Sequence, residues 1–223
     1  MTTGRSNTTG TADAAATAGP SEESPATLHL EVFTSPTRPI PGSEMTFSPT
    51  TSTLIYGDTS AVLVDAQFVT EDVDALADLI ARTGRTLQTI FITHGHGDHW
   101  FGADRLAARF GPVDIVTTPA VARHIEAHLD AETSTWSGLF GEAIVLPTSR
   151  PQPLHQLSID LEGHRLPIVE VPRGDIAPCA VLHVPSLDAV IAGDVAYNQI
   201  PRFIRCSPSA DRRNGRNGPT AST

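Results

Sequence analysis

Lysine is missing from this chain of 223 residues: all 15 basic side chains are arginine, against 25 acidic ones, for a formal net charge of −10. We read the missing lysine as the bias of a GC-rich coding sequence. The acidic balance, with a pI of about 5.2, disfavours a protein that grips nucleic-acid phosphates or an anionic membrane. Cysteine is scarce as well. Cys179 and Cys206, without a CxxC spacing, rule out a disulfide scaffold, leave room for one bridge at most, and fit a reducing cytoplasm. No apolar run approaches the roughly 20 residues a membrane span needs, and the first 25 residues lack the apolar stretch of a secretory signal. G-x-G-x-x-G and P-loop patterns are absent too, so a nucleotide fold has no motif to stand on. The expectation is an acidic, cytoplasmic, globular protein with no nucleic-acid partner and no membrane; its oligomeric state is unknown.

Three zones follow from composition. Residues 1–25 hold small and polar side chains and predict a disordered tail; residues 26–198 carry sustained pattern; residues 199–223 gather five of the 15 arginines among Pro, Ser, Asn and Gly and again read as a tail. In the middle zone β-rich runs alternate with helical patterns. Strands are expected at TLHLEVF (27–33), TLIYG (53–57), AVLVDA (61–66), TIFIT (89–93) and DIVTT (114–118). More follow at AIVLP (143–147), LSIDLEG (157–163), LPIVEV (166–171), AVLHV (180–184) and AVIAG (189–193). Many are unbroken Val/Ile-rich runs, as in strands buried on both faces. A helix over 71–82 is expected to take Thr70 as its N-cap and to end at Gly84. A second covers 103–109, and a third starts at Thr118-Pro119 and runs to about Ala131. Strands at both ends with helices between them give a layered α/β or α+β sandwich.

Directly after the apolar run TIFI comes Thr93-His94-Gly95-His96-Gly97-Asp98-His99-Trp100. Three imidazoles and a carboxylate at the end of a buried strand suit zinc, and manganese or iron also fit such donors. Gly95 and Gly97, lacking Cβ, are expected to let the chain turn sharply so that the ligands converge. Two other clusters carry less. His124 and His128 stand at i, i+4, but Ile125 occupies the place where a zincin has Glu, and Val121, Ile125 and Leu129 mark an ordinary packed face. Phe68, Trp100, Phe101, Trp136 and Phe140 suit the rim of a site or a core equally well.

THGHGDHW resembles the H-x-H-x-D-H signature of the metallo-β-lactamase-fold superfamily. VLVDAQF resembles that family's early strand ending in a structural Asp, here Asp65, and AVIAGDVAYN its late strand ending in Gly193-Asp194. The resemblance covers residues 27–198 and implies a four-layer αββα sandwich, incomplete at its C-terminal side. It also implies that His94 and His96 bind one metal, Asp98 and His99 a second, and that Asp194 bridges them. Asp98 would in addition orient the attacking hydroxide, as the catalytic residue, and Asp65 would support a ligand His. A metal-bound water with its pKa lowered toward about 7 would supply that hydroxide.

Two departures stand out. The family takes a third His from a Gly-His-Ser/Thr turn, and here that turn reads Pro172-Arg173-Gly174. Arg cannot give up its proton to bind a metal. Asp175, two residues on, can replace the His as an oxygen ligand, although simple loss of the ligand is the preferred reading. His183 packs in or beside a sheet rather than binding metal. The family's last His is also missing, since none follows His183. The resemblance then implies a metal-dependent hydrolase of a small ester, thioester, lactone or amide, with up to two weakly held zinc ions, or iron or manganese. The alternatives are a metal-poor, non-catalytic relic or binding protein, and an iron-dependent enzyme handling oxygen or sulfur.

Overall fold

The computed structural model describes Met1 and residues 26–172 and 174–197. Both proposed tails, Arg173 and Cys206 thus lie outside the described residues, apart from Met1. In chain order the elements are β1 (His29–Thr34), β2 (Arg38–Pro39), β3 (Thr46–Phe47), β4 (Thr51–Tyr56), β5 (Ser60–Val64), α1 (Thr70–Thr83), β6 (Thr86–Phe91) and α2 (Gly97–Trp100). They continue with α3 (Ala103–Phe110), β7 (Asp114–Thr117), α4 (Pro119–Phe140), β8 (Gln152–Pro153), β9 (Ser158–Leu161), β10 (His164–Val171), β11 (Cys179–Val184) and β12 (Ala189–Ile191).

Six strands form one sheet in the order β1-β4-β5-β6-β7-β8, and four form a second in the order β12-β11-β10-β9. The first sheet is antiparallel through β1, β4 and β5 and parallel from β5 to β8. Parallel pairing needs crossovers, and the helices supply them. The central strands β4 and β5 are buried on both faces, which explains their apolar runs, while the edge strands β1 and β8 are largely exposed. One face, with Leu54, Leu63, Leu87 and Ile90, packs on the helices. The other, with Ile55, Val62, Val64 and Phe91, packs on Leu161, Leu166, Ile168 and Leu182 of the second sheet. The chain therefore has the expected layered α/β sandwich, but the described residues supply three layers, helices on sheet on sheet, of the four in the expected αββα arrangement. Among the described residues, helices cover the first sheet only. The far face of the second sheet shows Val169 and Val190 about half exposed.

Three local expectations are corrected. Thr70 is the first residue of α1 and not its cap; Val69 holds that place without a side-chain bond, its carbonyl accepting from the Asp72 and Val73 amides. Gly84 does close the helix in a left-handed conformation, φ 68°. The run 143–147 is not a strand. A 3-10 turn covers Gly141–Ala143, and Ile144 makes a single bridge to Val69 while burying its side chain with the helices. Its hydrophobicity serves packing, and Pro147 has no amide to give a ladder; the edge of the sheet is taken by β8 instead. Finally, α4 runs nine residues past Ala131. Trp136 and Phe140 continue its apolar face into a cluster with Phe47 and Phe68, ring centroids 5.0–6.1 Å apart. All five aromatics considered for a site rim, Phe68, Trp100, Phe101, Trp136 and Phe140, are buried in the core.

The sheets are also joined by a side chain. Glu162 and Gly163 form the turn of the β9–β10 hairpin with φ 48° and 83°, as a two-residue type I′ turn demands. The Glu162 carboxylate accepts from the amides of Asp58, Thr59 and Ser60 at 2.6–2.8 Å and from the Thr59 hydroxyl. Those residues belong to the β4–β5 turn of the other sheet.

Candidate metal centre

The site lies where β5 and β6 end, in the crevice that parallel strands leave at their carboxyl ends. Past Phe91 the chain leaves the first sheet and stitches to the second: Ala180 donates its amide to the Thr93 carbonyl at 2.8 Å, and His94 bridges Cys179. The His-rich segment is thereby held between the two sheets. Its glycines act differently from the expectation. Neither Gly95 nor Gly97 has a left-handed φ. A Cβ on Gly97 would lie 2.6 Å from Trp136 Cδ1 and 2.7 Å from Phe101 Cζ, and one on Gly95 2.7 Å from His124 Cδ2. Glycine is required here for close approach to α4 and not for a turn. Glu132 of α4 completes this contact by accepting from the Gly97 amide at 3.2 Å and from Trp136 Nε1 at 2.8 Å.

Asp65 directly follows β5 with φ 60°, an unfavourable conformation for a residue with a Cβ. The turn aims its carboxylate back under the segment. Oδ1 accepts the Thr93 amide at 2.9 Å, and Oδ2 faces the Thr93 hydroxyl and His99 Nδ1, each at 2.8 Å. The Thr93 hydroxyl, its proton spent on Asp65, accepts from His94 Nδ1 at 2.9 Å. Both buried imidazoles are thus assigned the Nδ1–H tautomer, which leaves Nε2 of each facing inward.

Those inward atoms meet carboxylates. His99 Nε2 lies 3.3 Å from Asp194 Oδ1 and 3.4 Å from Asp98 Oδ2, and His94 Nε2 lies 3.8 Å from Asp194 Oδ2 and 3.2 Å from His96 Nδ1. Neither contact of His99 Nε2 meets strict hydrogen-bond geometry; among the described residues this buried nitrogen is faced by the two carboxylates as ion-pair partners. His96 Nδ1 in turn is 3.6 Å from Asp175 Oδ2. Two groups offer convergent donor atoms: His94, His99 and Asp194, and His96, Asp175 and Asp194, with the atoms of each within 4.8 Å of one another. The pairs that the resemblance implies, His94 with His96 and Asp98 with His99, also lie close, at 3.2 and 3.4 Å. Asp98 stands beside the first group, one oxygen accepting from the Thr50 hydroxyl at 3.2 Å. His183 is not part of either. In β11 it points opposite to the inward Leu182 and Val184, paired across from Val190.

Electrostatics favour a cation. Burial, aided by the charge of His99, pushes His94 well below the ordinary imidazole value. Burial also opposes charge on His99, yet Asp98, Asp194 and Asp65 together hold it well above that value. Burial raises Asp98, with Asp194 adding to the effect. Asp194 resists its own burial through His99 and His94 and stays below the usual carboxylate range. Without a metal, a proton on His99 must balance the carboxylates; a divalent ion meets the same demand with better geometry for inward Nε2 lone pairs. The donor set therefore fits a metal.

Thr50, Glu132 and Tyr197 were not singled out from sequence. The Tyr197 hydroxyl bonds Asp194, and burial and that carboxylate hold it protonated. Its signal was its place three residues after Asp194. Thr50, 48 residues before Asp98, left none. His124 and His128 stack at 4.1 Å on α4, with His124 against Gly95, and neither belongs to the two donor groups.

No curated protein matches the chain. Among solved structures it is similar to a metallo-β-lactamase family protein from Thermus thermophilus (TM-score 0.54, 20% identity, over 77% of this chain and 61% of that one). It is also similar to the B3 metallo-β-lactamase BLEG-1 (0.55, 19%, over 76% and 74%) and to a metallo-β-lactamase from Pontibacter korlensis (0.52, 20%, over 73% and 70%). The chain spans less than two thirds of the Thermus protein's length, and at these identities the likeness speaks for the fold. The sequence profile of the metallo-β-lactamase superfamily matches residues 45–222. With the sandwich, the His-rich segment at the end of β6 and the two converging His/Asp groups, that match establishes that the chain belongs to the metallo-β-lactamase superfamily.

Proposed function

We propose that this chain is a metal-dependent hydrolase of a small ester, thioester, lactone or amide, with zinc held by His94, His99 and Asp194. The observation that carries the reading is the convergence of His94, His99 and Asp194, with His99 Nε2 buried against two carboxylates and fixed in direction by Asp65 on the far side of the ring. A divalent ion in this place supplies Lewis acidity and lowers the pKa of a bound water to about 7. The chain's own residues do the rest. Asp65 and Thr93 hold both imidazoles in the ligating tautomer. Asp98, whose proton affinity is raised by burial, is placed to receive a proton from the attacking water and to orient it, while Thr50 fixes one of its oxygens. Tyr197 holds Asp194 in position. An acidic surface, net charge −10, supports a small substrate over a nucleic acid.

The test is metal analysis of purified protein beside a panel of thioester, lactone, ester and β-lactam substrates, for the natural chain, His99→Ala and Asp98→Asn. Zinc at one or more ions per chain, with turnover lost by at least about 100-fold in both variants, supports the reading. Tightly held iron with oxygen-dependent turnover would replace it by oxygen or sulfur chemistry, and a metal-poor, inert protein would replace it by a binding role.

A further inference from the structure

The two donor groups share Asp194 but are chemically unequal. The first offers two imidazole nitrogens and one carboxylate, and both its histidines are buried. The second offers one imidazole, His96, and two carboxylates, Asp175 and Asp194, all three partly open to solvent. Asp175 arrives on the loop between β10 and β11, and the packing of Gly174 helps to bring it there. A Cβ on Gly174 would lie 2.8 Å from Cys179 Sγ and 3.3 Å from Val195 Cγ2, so the backbone passes hard against the start of β11 and the Asp194 turn. That passage sets Asp175 Oδ2 3.6 Å from His96 Nδ1, across from Asp194.

Oxygen donors favour manganese and magnesium, whereas imidazole favours zinc. Every nitrogen exchanged for a carboxylate oxygen narrows zinc's ordinary advantage over manganese. We propose that His96, Asp175 and Asp194 form an oxygen-rich cation position that accepts Mn²⁺, beside a nitrogen-rich position that keeps Zn²⁺, so that Asp175 makes the chain a mixed-metal centre. This rests on the hydrolase reading only in placing zinc at the first group.

The experiment uses the full chain, stripped by chelator, loaded with one equivalent of Zn²⁺ and then titrated with Mn²⁺. Free manganese is followed by its paramagnetic resonance signal, and both metals are measured after desalting. The expected result is one zinc and one manganese per chain. The bound manganese should show electron–nuclear coupling to a single imidazole nitrogen donor, that of His96. In Asp175→Asn, manganese affinity falls at least about 10-fold and the zinc equivalent is retained; in Asp175→His, zinc displaces manganese at least about 10-fold more readily than in the natural chain. Manganese binding unchanged in Asp175→Asn, no manganese bound at all, or coupling to two imidazoles would each overturn the proposal. Should the Asp175 variants fail to fold, the coupling measured on the natural chain still decides. Failure of the first zinc equivalent to bind counts against the hydrolase reading instead, which keeps the two outcomes apart.

Discussion

Asp65 shows how one residue can serve both backbone and site. Its left-handed φ of 60° costs about 1–3 kcal/mol, offset by the Thr93 amide, the Thr93 hydroxyl and His99. Asn tolerates that conformation and can still accept from Thr93, but it carries no charge to hold the His99 Nδ1 proton. Asp65→Asn is therefore expected to leave the circular dichroism spectrum unchanged while weakening zinc binding by about 10–100-fold, as read by competition with a chromophoric chelator. Equal affinity in both proteins would show that Asp65 serves the backbone alone. At this scale the sequence was legible where the chemistry is contiguous: His94, His96, Asp98 and His99 fall within six residues and announce themselves. Thr50 reaches the site from a distant loop, and spacing along the chain carries no trace of that contact. Asp175 is legible as an oxygen donor near the expected third-ligand turn, although the sequence favours simple loss of that ligand; the fold puts it beside His96.

Between elements, two contacts lend themselves to measurement. The first is α4 on the His-rich segment. Gly97→Ala forces a methyl against the Trp136 and Phe101 rings and is expected to cost about 1–3 kcal/mol in urea unfolding. Trp136→Ala costs about 3–5 kcal/mol alone, and the double variant should fall short of the sum because the Trp136 part of the clash has gone and only Phe101 remains in the way. Strict additivity would mean that the two residues do not press on one another. The second contact is Glu162. Its carboxyl resists a small cost of burial and is held at about 2, below its ordinary 4.5, by the amides and hydroxyl of the β4–β5 turn. A depressed carboxylate contributes stability that is present above its unfolded pKa and lost as pH falls through the folded one. Between about pH 5 and pH 2 the natural chain should thus lose about 1 kcal/mol, discounted for the partial exposure of the group, that Glu162→Gln does not lose. Parallel pH profiles would refute this. Element types were largely readable from periodicity, but the extent of α4 and the loss of the 143–147 strand were not. Both depend on which apolar face finds a partner, and that is a tertiary matter.

For the molecule as a whole, the sandwich was legible because buried parallel strands must be apolar throughout, and few proteins alternate such strands with amphipathic helices for any other reason. Which sheet face carries helices was not legible, since an apolar residue bound for a helix and one bound for solvent look alike in sequence. The exposed Val169 and Val190 are the examples. A global prediction follows from the site's place between the sheets. An ion bound only by the folded chain, at about 100 times its dissociation constant, adds about 2.7 kcal/mol. Chelation should accordingly lower the melting temperature by about 5–10 °C, and the melting temperature of His99→Ala should not respond. A chelator that leaves the natural chain's melting curve in place would show that the ion and the fold are uncoupled.

The stitch between Ala180 and Thr93 has a kinetic consequence. This amide belongs to the second sheet, yet the carbonyl that protects it belongs to the segment carrying His94. Its exchange with deuterated solvent therefore requires the segment to lift away, whatever the rest of β11 is doing. A single amide thus acts as a clock for opening of the site, slowed when an ion pins the histidines and running at the rate of local opening when it does not.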